Sequence, residues 1–307
     1  MAAAAVAQWS WQGLRFALPA DWEVTVLEKA YLRADDAVGP RLEIVWRPRM
    51  TITEATMRAR LHRLLPGAAL DFAAGPSLHG LPDTHSFRFS HPSGHAGLGL
   101  ALELPGQRTA MLLLHHQRPP EGSTNAIPLP CSTAAAVLGS LAIPPGEPFQ
   151  PWQAFGVRLS VPASYTLQRF HFQPGHFHWQ FNGPARGVLR APEGALFFDR
   201  LGPASVLLRD KSLQEWATTF HASLPLHAQT LDPSAPCGLR WRAIKPPTPL
   251  RTLWRRLGKE SWQDIVLSLW LDDADTKIMA LLARGAPARN EPLLQELCAR
   301  YAVCPDA

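Results

Sequence analysis

Apolar and polar residues alternate from Leu14 to Leu18, and Pro19 ends the run. A second strand is predicted over about Trp22 to Leu32. A third, Arg41 to Arg47, alternates cleanly and should bury one face. Thr53 is placed to N-cap a helix reaching about Leu65, with Met57, Leu61, Leu64 and Leu65 on one stripe. Pro66-Gly67 stops it. Strand signals return at His85 to Ser90. Leu98–Leu104 and Thr109–Leu114 then flank Pro105-Gly106-Gln107-Arg108 as a hairpin, and a short helix from Thr133 to Leu141 follows.

The same order of patterns comes again. Strands are predicted at Val157 to Val161 and Thr166 to Phe172, with others through Leu208. Ser212 can cap a helix carrying Leu213, Trp216, Phe220 and Leu224 at helical spacing. Ile265–Leu271 and Thr276–Leu282 form a second hairpin. It matches the first without a gap, Leu104 on Leu271 and Thr109 on Thr276. A helix from about Glu291 to Tyr301 closes the chain. Both halves also open on Trp-Gln, a short strand, Pro-Ala and an aromatic: Trp11-Gln12 through Trp22, and Trp152-Gln153 through Tyr165.

The chain therefore reads as one unit written twice, residues 8–145 and 150–304, with the boundary in the proline-rich stretch Pro144 to Pro151. Each unit is strands, helix, antiparallel hairpin, helix. The expected class is α+β: two tandem antiparallel-sheet domains with helices on one face, arranged as an internal pseudo-dimer within a monomer.

Composition narrows the function. Of 307 residues, 46% are hydrophobic and 18% charged, which is globular. A formal charge of +5, mostly from dispersed Arg, gives no basic stripe, so nucleic acid is not an expected partner. Cys131, Cys237, Cys298 and Cys304 form no Cys-x-x-Cys pair and read as buried small apolar residues, although Cys298 and Cys304 could bridge in an oxidising compartment. The start, Met1 to Gln8, lacks the basic and apolar segments of a signal peptide, so the expected location is cytoplasmic.

Phe16-Ala17-Leu18-Pro19-Ala20-Asp21-Trp22 resembles the opening of the Mog1/PsbP-like (DcrB-like) superfamily, and Ala134 to Leu141 resembles its closing helix. In the second half Tyr165 stands in place of the Trp. The resemblance implies a binding protein rather than an enzyme. Within the superfamily the chain is most similar in style to Eag-type chaperones of type VI secretion. That similarity implies a chaperone or adaptor whose partner is a protein client with apolar helices, such as a secreted effector.

Two segments carry candidate sites. In Phe170 to Trp179, Pro174-Gly175 suits a tight turn, His176 and His178 share a strand face, and His171 can approach from the partner strand. Three imidazoles so placed can hold Zn²⁺, Cu²⁺ or Ni²⁺, with no fourth ligand evident. The plainer reading is a half-exposed hairpin with His outward and Phe inward. In the second segment Leu250, Leu253, Trp254 and Leu257 form one helical face flanked by Arg251, Arg255, Arg256 and Lys259. Such a helix either covers the end of its own sheet or binds an acidic partner or a membrane surface peripherally. Asp272 to Asp275 lacks the Gly and Glu of a calcium loop and reads as a hairpin turn. No nucleophile elbow or phosphate-cradling loop is present, so no catalytic residue and no cofactor are expected.

Overall fold

The computed structural model describes residues 6–48, 52–72, 85–105, 108–118, 127–144, 148–186, 191–224, 230–235, 238–243, 264–272, 274 and 276–304. The amphipathic segment Leu250 to Lys259 lies outside the described residues, as does Cys237. The chain divides into two compact units between Gly156 and Val157.

The first unit runs β1 Val6–Trp11, β2 Leu14–Pro19, β3 Glu23–Leu27, β4 Tyr31–Asp35, β5 Pro40–Pro48, α1 Glu54–Leu64, β6 Ala69–Asp71, β7 His85–Ser90, β8 Ala96–Leu104, β9 Arg108–Arg118, β10 Ile127–Pro128, α2 Cys131–Gly139 and β11 Phe149–Ala154. Its main sheet follows the path β3-β4-β5-β9-β8-β7-β6, antiparallel throughout. Thr53 caps α1 as its hydroxyl accepts from the Thr56 amide, and Met57 and Leu61 turn inward onto Phe87, Phe89, Met111 and Leu113. Gly97 and Gly99 on β8 make room for those rings: a Cβ on Gly99 would stand 1.9 Å from the Phe87 ring.

A separate pairing gathers the two Trp-Gln openings. β11 runs antiparallel to β1 with Ser10 opposite Gln153, and the Ser10 hydroxyl donates to the Pro151 carbonyl at 3.0 Å. Trp11 and Trp152, both fully buried, meet edge to face at 5.2 Å. Arg108 donates to the side chains of both Gln12 and Gln150.

The second unit runs β12 Val157–Pro162, β13 Thr166–Gln173, β14 His176–Asn182, β15 Ala185–Arg186, β16 Ala191–Pro192, β17 Gly194–Leu201, α3 Ala204–Leu207, α4 Leu213–Phe220, β18 Thr230–Ala235, β19 Gly238–Ala243, β20 Ile265–Leu271, β21 Ile278–Gly285, α5 Glu291–Ala299 and β22 Ala302–Val303. Its main sheet follows β13-β14-β17-β21-β20-β19-β18. That is the same seven-strand path, with a helix again placed between the third strand and the first of the last four. Ser212 and Glu215 close a capping box on α4, which lays Trp216 and Ala217 on Leu267, Leu269, Ile278, Ala280 and Leu282. The architecture is α+β, built mostly from antiparallel sheets.

The two hairpins differ from the ungapped match. β8 and β9 close with Leu104 opposite Arg108, whereas β20 and β21 close with Leu271 opposite Ile278. The second turn is longer because Asp272 builds it: its Oδ1 accepts from the amides of Thr276 and Lys277, and its Oδ2 from the Thr276 hydroxyl.

Candidate metal centre

Pro174-Gly175 turns β13 into β14, with Gly175 at φ +84 where a side chain would be strained. The pairing that follows puts His171 opposite His178, and His178 opposite Asp199 on β17. Asp199 is in turn opposite Ala280 on β21, part of the core that α4 covers. His176, two residues before His178, shares this face.

His176 Nε2 and His178 Nδ1 both donate to Asp199 Oδ1, each at 2.7 Å. One ligand atom from each of the three residues falls within a span of 4.8 Å. Asp199 is buried, and the two imidazoles are partly exposed. Burial alone pushes the Asp199 carboxyl up, but the hydrogen bonds and charge of His176 and His178 outweigh it and hold the group below the usual carboxylate range. A buried carboxylate needs such compensation, since an isolated buried charge is costly. His171 lies on the exposed edge strand, its ring 6.2 Å from that of His176, and is not part of this three-residue group.

α4 ends over the cluster. Phe220 at its last position stacks on Trp216 and sets its ring edge-on to His176 at 5.9 Å. The next residue, His221, is the C-cap and packs edge-on against Phe220. Its Nε2 is buried and has no hydrogen-bond partner among the described residues. Burial pushes the His221 imidazole below its ordinary value; Asp199 opposes this, while Arg284 and His176 add to it. Asp199 is the residue of the group that sequence reasoning missed. Asp199 left one signal, a lone acid within the apolar run Gly194–Leu201.

The first unit also carries a carboxylate on the third strand of its sheet path. Glu43 on β5 stands opposite Arg33 on β4, and the Tyr31 hydroxyl, two residues before Arg33, donates to Glu43 Oε2 at 2.7 Å. His115, fully buried, donates from Nε2 to Glu43 Oε1 at 2.8 Å, which leaves its Nδ1 to accept from His95 Nε2 at 2.6 Å. Burial and Glu43 push the Tyr31 phenol up. The third strand of the path thus carries a carboxylate in a hydrogen-bonded network in the first unit and one in a ligand-type cluster in the second.

Among the described residues no helix is long and apolar enough to cross a membrane. In comparisons with known proteins, no family model matches the chain and no curated protein matches it.

Proposed function

We propose that this chain is a non-enzymatic binding protein whose second unit takes up a divalent transition metal between β14 and β17. The observation that carries the reading is the convergence of His176 Nε2, His178 Nδ1 and Asp199 Oδ1. Two imidazoles and a carboxylate suit zinc, and also cobalt, nickel or copper, better than magnesium or calcium. In the hydrogen-bonded form the nitrogens lie 2.7 Å from the shared oxygen. A tetrahedral ion about 2.0–2.1 Å from each donor wants them about 3.3 Å apart. Uptake therefore moves each proton off the ring nitrogen that faces Asp199 and opens the cluster slightly, and because metal and protons compete for those nitrogens, binding strengthens as pH rises.

The test is zinc titration of metal-free, untagged protein beside four variants. His176→Ala, His178→Ala and Asp199→Asn should each lose high-affinity binding, whereas His171→Ala should keep it. Equal affinity in all five proteins would contradict the reading.

A second reading is supported by the doubled strand path. In it, a tandem pair of Mog1/PsbP-like domains acts as a chaperone or adaptor for apolar helices of a protein client. Purification from the native host in mild detergent tests it. A stoichiometric partner with exposed apolar helices is the expected result, and a solitary protein would contradict it.

A further inference from the structure

A cleft of about 620 Å³ lies over the β6-β7-β8 edge of the first sheet, on the face turned away from α1. The pleat builds its floor. Phe87 and Phe89 on β7 go under α1, so Arg88 and Ser90 face the other way. Gly97 on β8 backs onto the Phe89 ring, and Leu98 points out with Arg88, its partner across the ladder. β9 supplies a wall through a bulge. Its register with β8 slips between Ala96 and Gly97, so His115 stays against Phe89 while His116 is left as the extra residue and lines the cleft. The His116 carbonyl accepts from the Leu129 amide, which leads the chain to Cys131, the first residue of α2 and the far rim.

The cleft joins an apolar floor to cationic and donor groups that nothing else uses. Arg88 is exposed, and neither its guanidinium nor the His116 imidazole makes a hydrogen bond or ion pair among the described residues. Burial, and after it the charge of Arg88, hold the His116 ring below its ordinary value, so at neutral pH it keeps one N–H to donate. Asp71, opposite Arg88 on β6, is the acid in the lining, and its charge disfavours a dianion such as inorganic phosphate. We infer that this cleft binds a small monocarboxylate with an apolar tail. Arg88 takes the carboxylate in its planar fork, His116 donates beside it, and the tail lies along Leu98 and Ala96. The volume is that of a small-molecule site. The assignment belongs to the first unit and stands apart from the metal reading.

The experiment is calorimetric titration of the full, metal-free, untagged chain with octanoate, beside acetate, octanol and inorganic phosphate. Octanoate should bind at one equivalent. Acetate lacks the tail and octanol the charge, so each should bind at least about tenfold more weakly, and phosphate should not displace octanoate. Arg88→Gln changes an exposed position and should weaken octanoate by about tenfold or more. Arg88→Lys should weaken it less, since the charge stays without the fork. His176→Ala should bind octanoate as the wild type does, and a loss there would put the carboxylate at the metal cluster and contradict the assignment. No octanoate uptake by the wild type, equal affinity for octanol, or equal affinity in Arg88→Gln would overturn it. Amide resonances supply a second readout: octanoate should shift those of Leu98 and His116, and shifts confined to other residues would contradict the site.

Discussion

His178 stands directly opposite Asp199 across β14 and β17, and its Nδ1 donates to the Asp199 carboxylate at 2.7 Å. The same oxygen accepts from His176. Asp199→Asn removes the charged acceptor and leaves two nitrogens competing for a neutral amide. Hydrogen bonds to charged groups are worth about 1.5–3 kcal/mol each, and the imidazoles are partly exposed, so the metal-free variant should lose about 2 kcal/mol. Urea unfolding of metal-free protein measures it, and an unchanged midpoint would count against the cluster.

Acid should act on the same group. Asp199 ionises in the folded chain below its ordinary range. Its stabilisation is therefore fully present above the unfolded value of about 3.9 and is lost as pH falls through the lower folded value. His221 is depressed too, so its contribution is full above about 6.5 and falls away below that as the unfolded chain takes up the proton first. Thermal scans across pH should show two acid limbs. Asp199→Asn should flatten the lower one, and His221→Gln the upper.

Glu43 supplies the contrast in the first unit. It accepts from Tyr31 and from the buried His115, whereas Glu54 and Arg58 pair on the exposed side of α1. Glu43→Ala strands a buried imidazole and should cost about 2–3 kcal/mol. Glu54→Ala removes an i,i+4 surface pair and should cost about 0.3–0.5 kcal/mol. Equal effects in denaturant melts would mean that the Tyr31–Glu43–His115 network does not support the fold.

Packing at Gly99 gives a further expectation. A Cβ there collides with the Phe87 ring, which is fully buried under α1. Gly99→Ala should destabilise by about 1–3 kcal/mol. Phe87→Leu in the same chain should recover part of the loss, and purely additive effects would rule out the contact.

Much of this was legible along the chain because it is local. Thr53 and Ser212 signal their own caps. The period of two puts His176 and His178 on one face without knowledge of any other strand. Asp199 was not legible as a ligand, because its meeting with them depends on the pairing of β14 with β17, more than twenty residues apart. His171 shows the reverse: cross-strand reach places it opposite His178, but an edge strand leaves it outside the cluster. Turn length escaped too, since Leu104–Arg108 and Leu271–Ile278 close over different spans while their flanking strands look alike.

The most direct measurement is zinc content after equilibrium dialysis of the untagged wild-type chain near neutral pH. The account predicts one zinc per chain, released as pH falls and the imidazoles protonate. A chain that emerges without zinc, at concentrations that load other histidine–carboxylate centres, would contradict it.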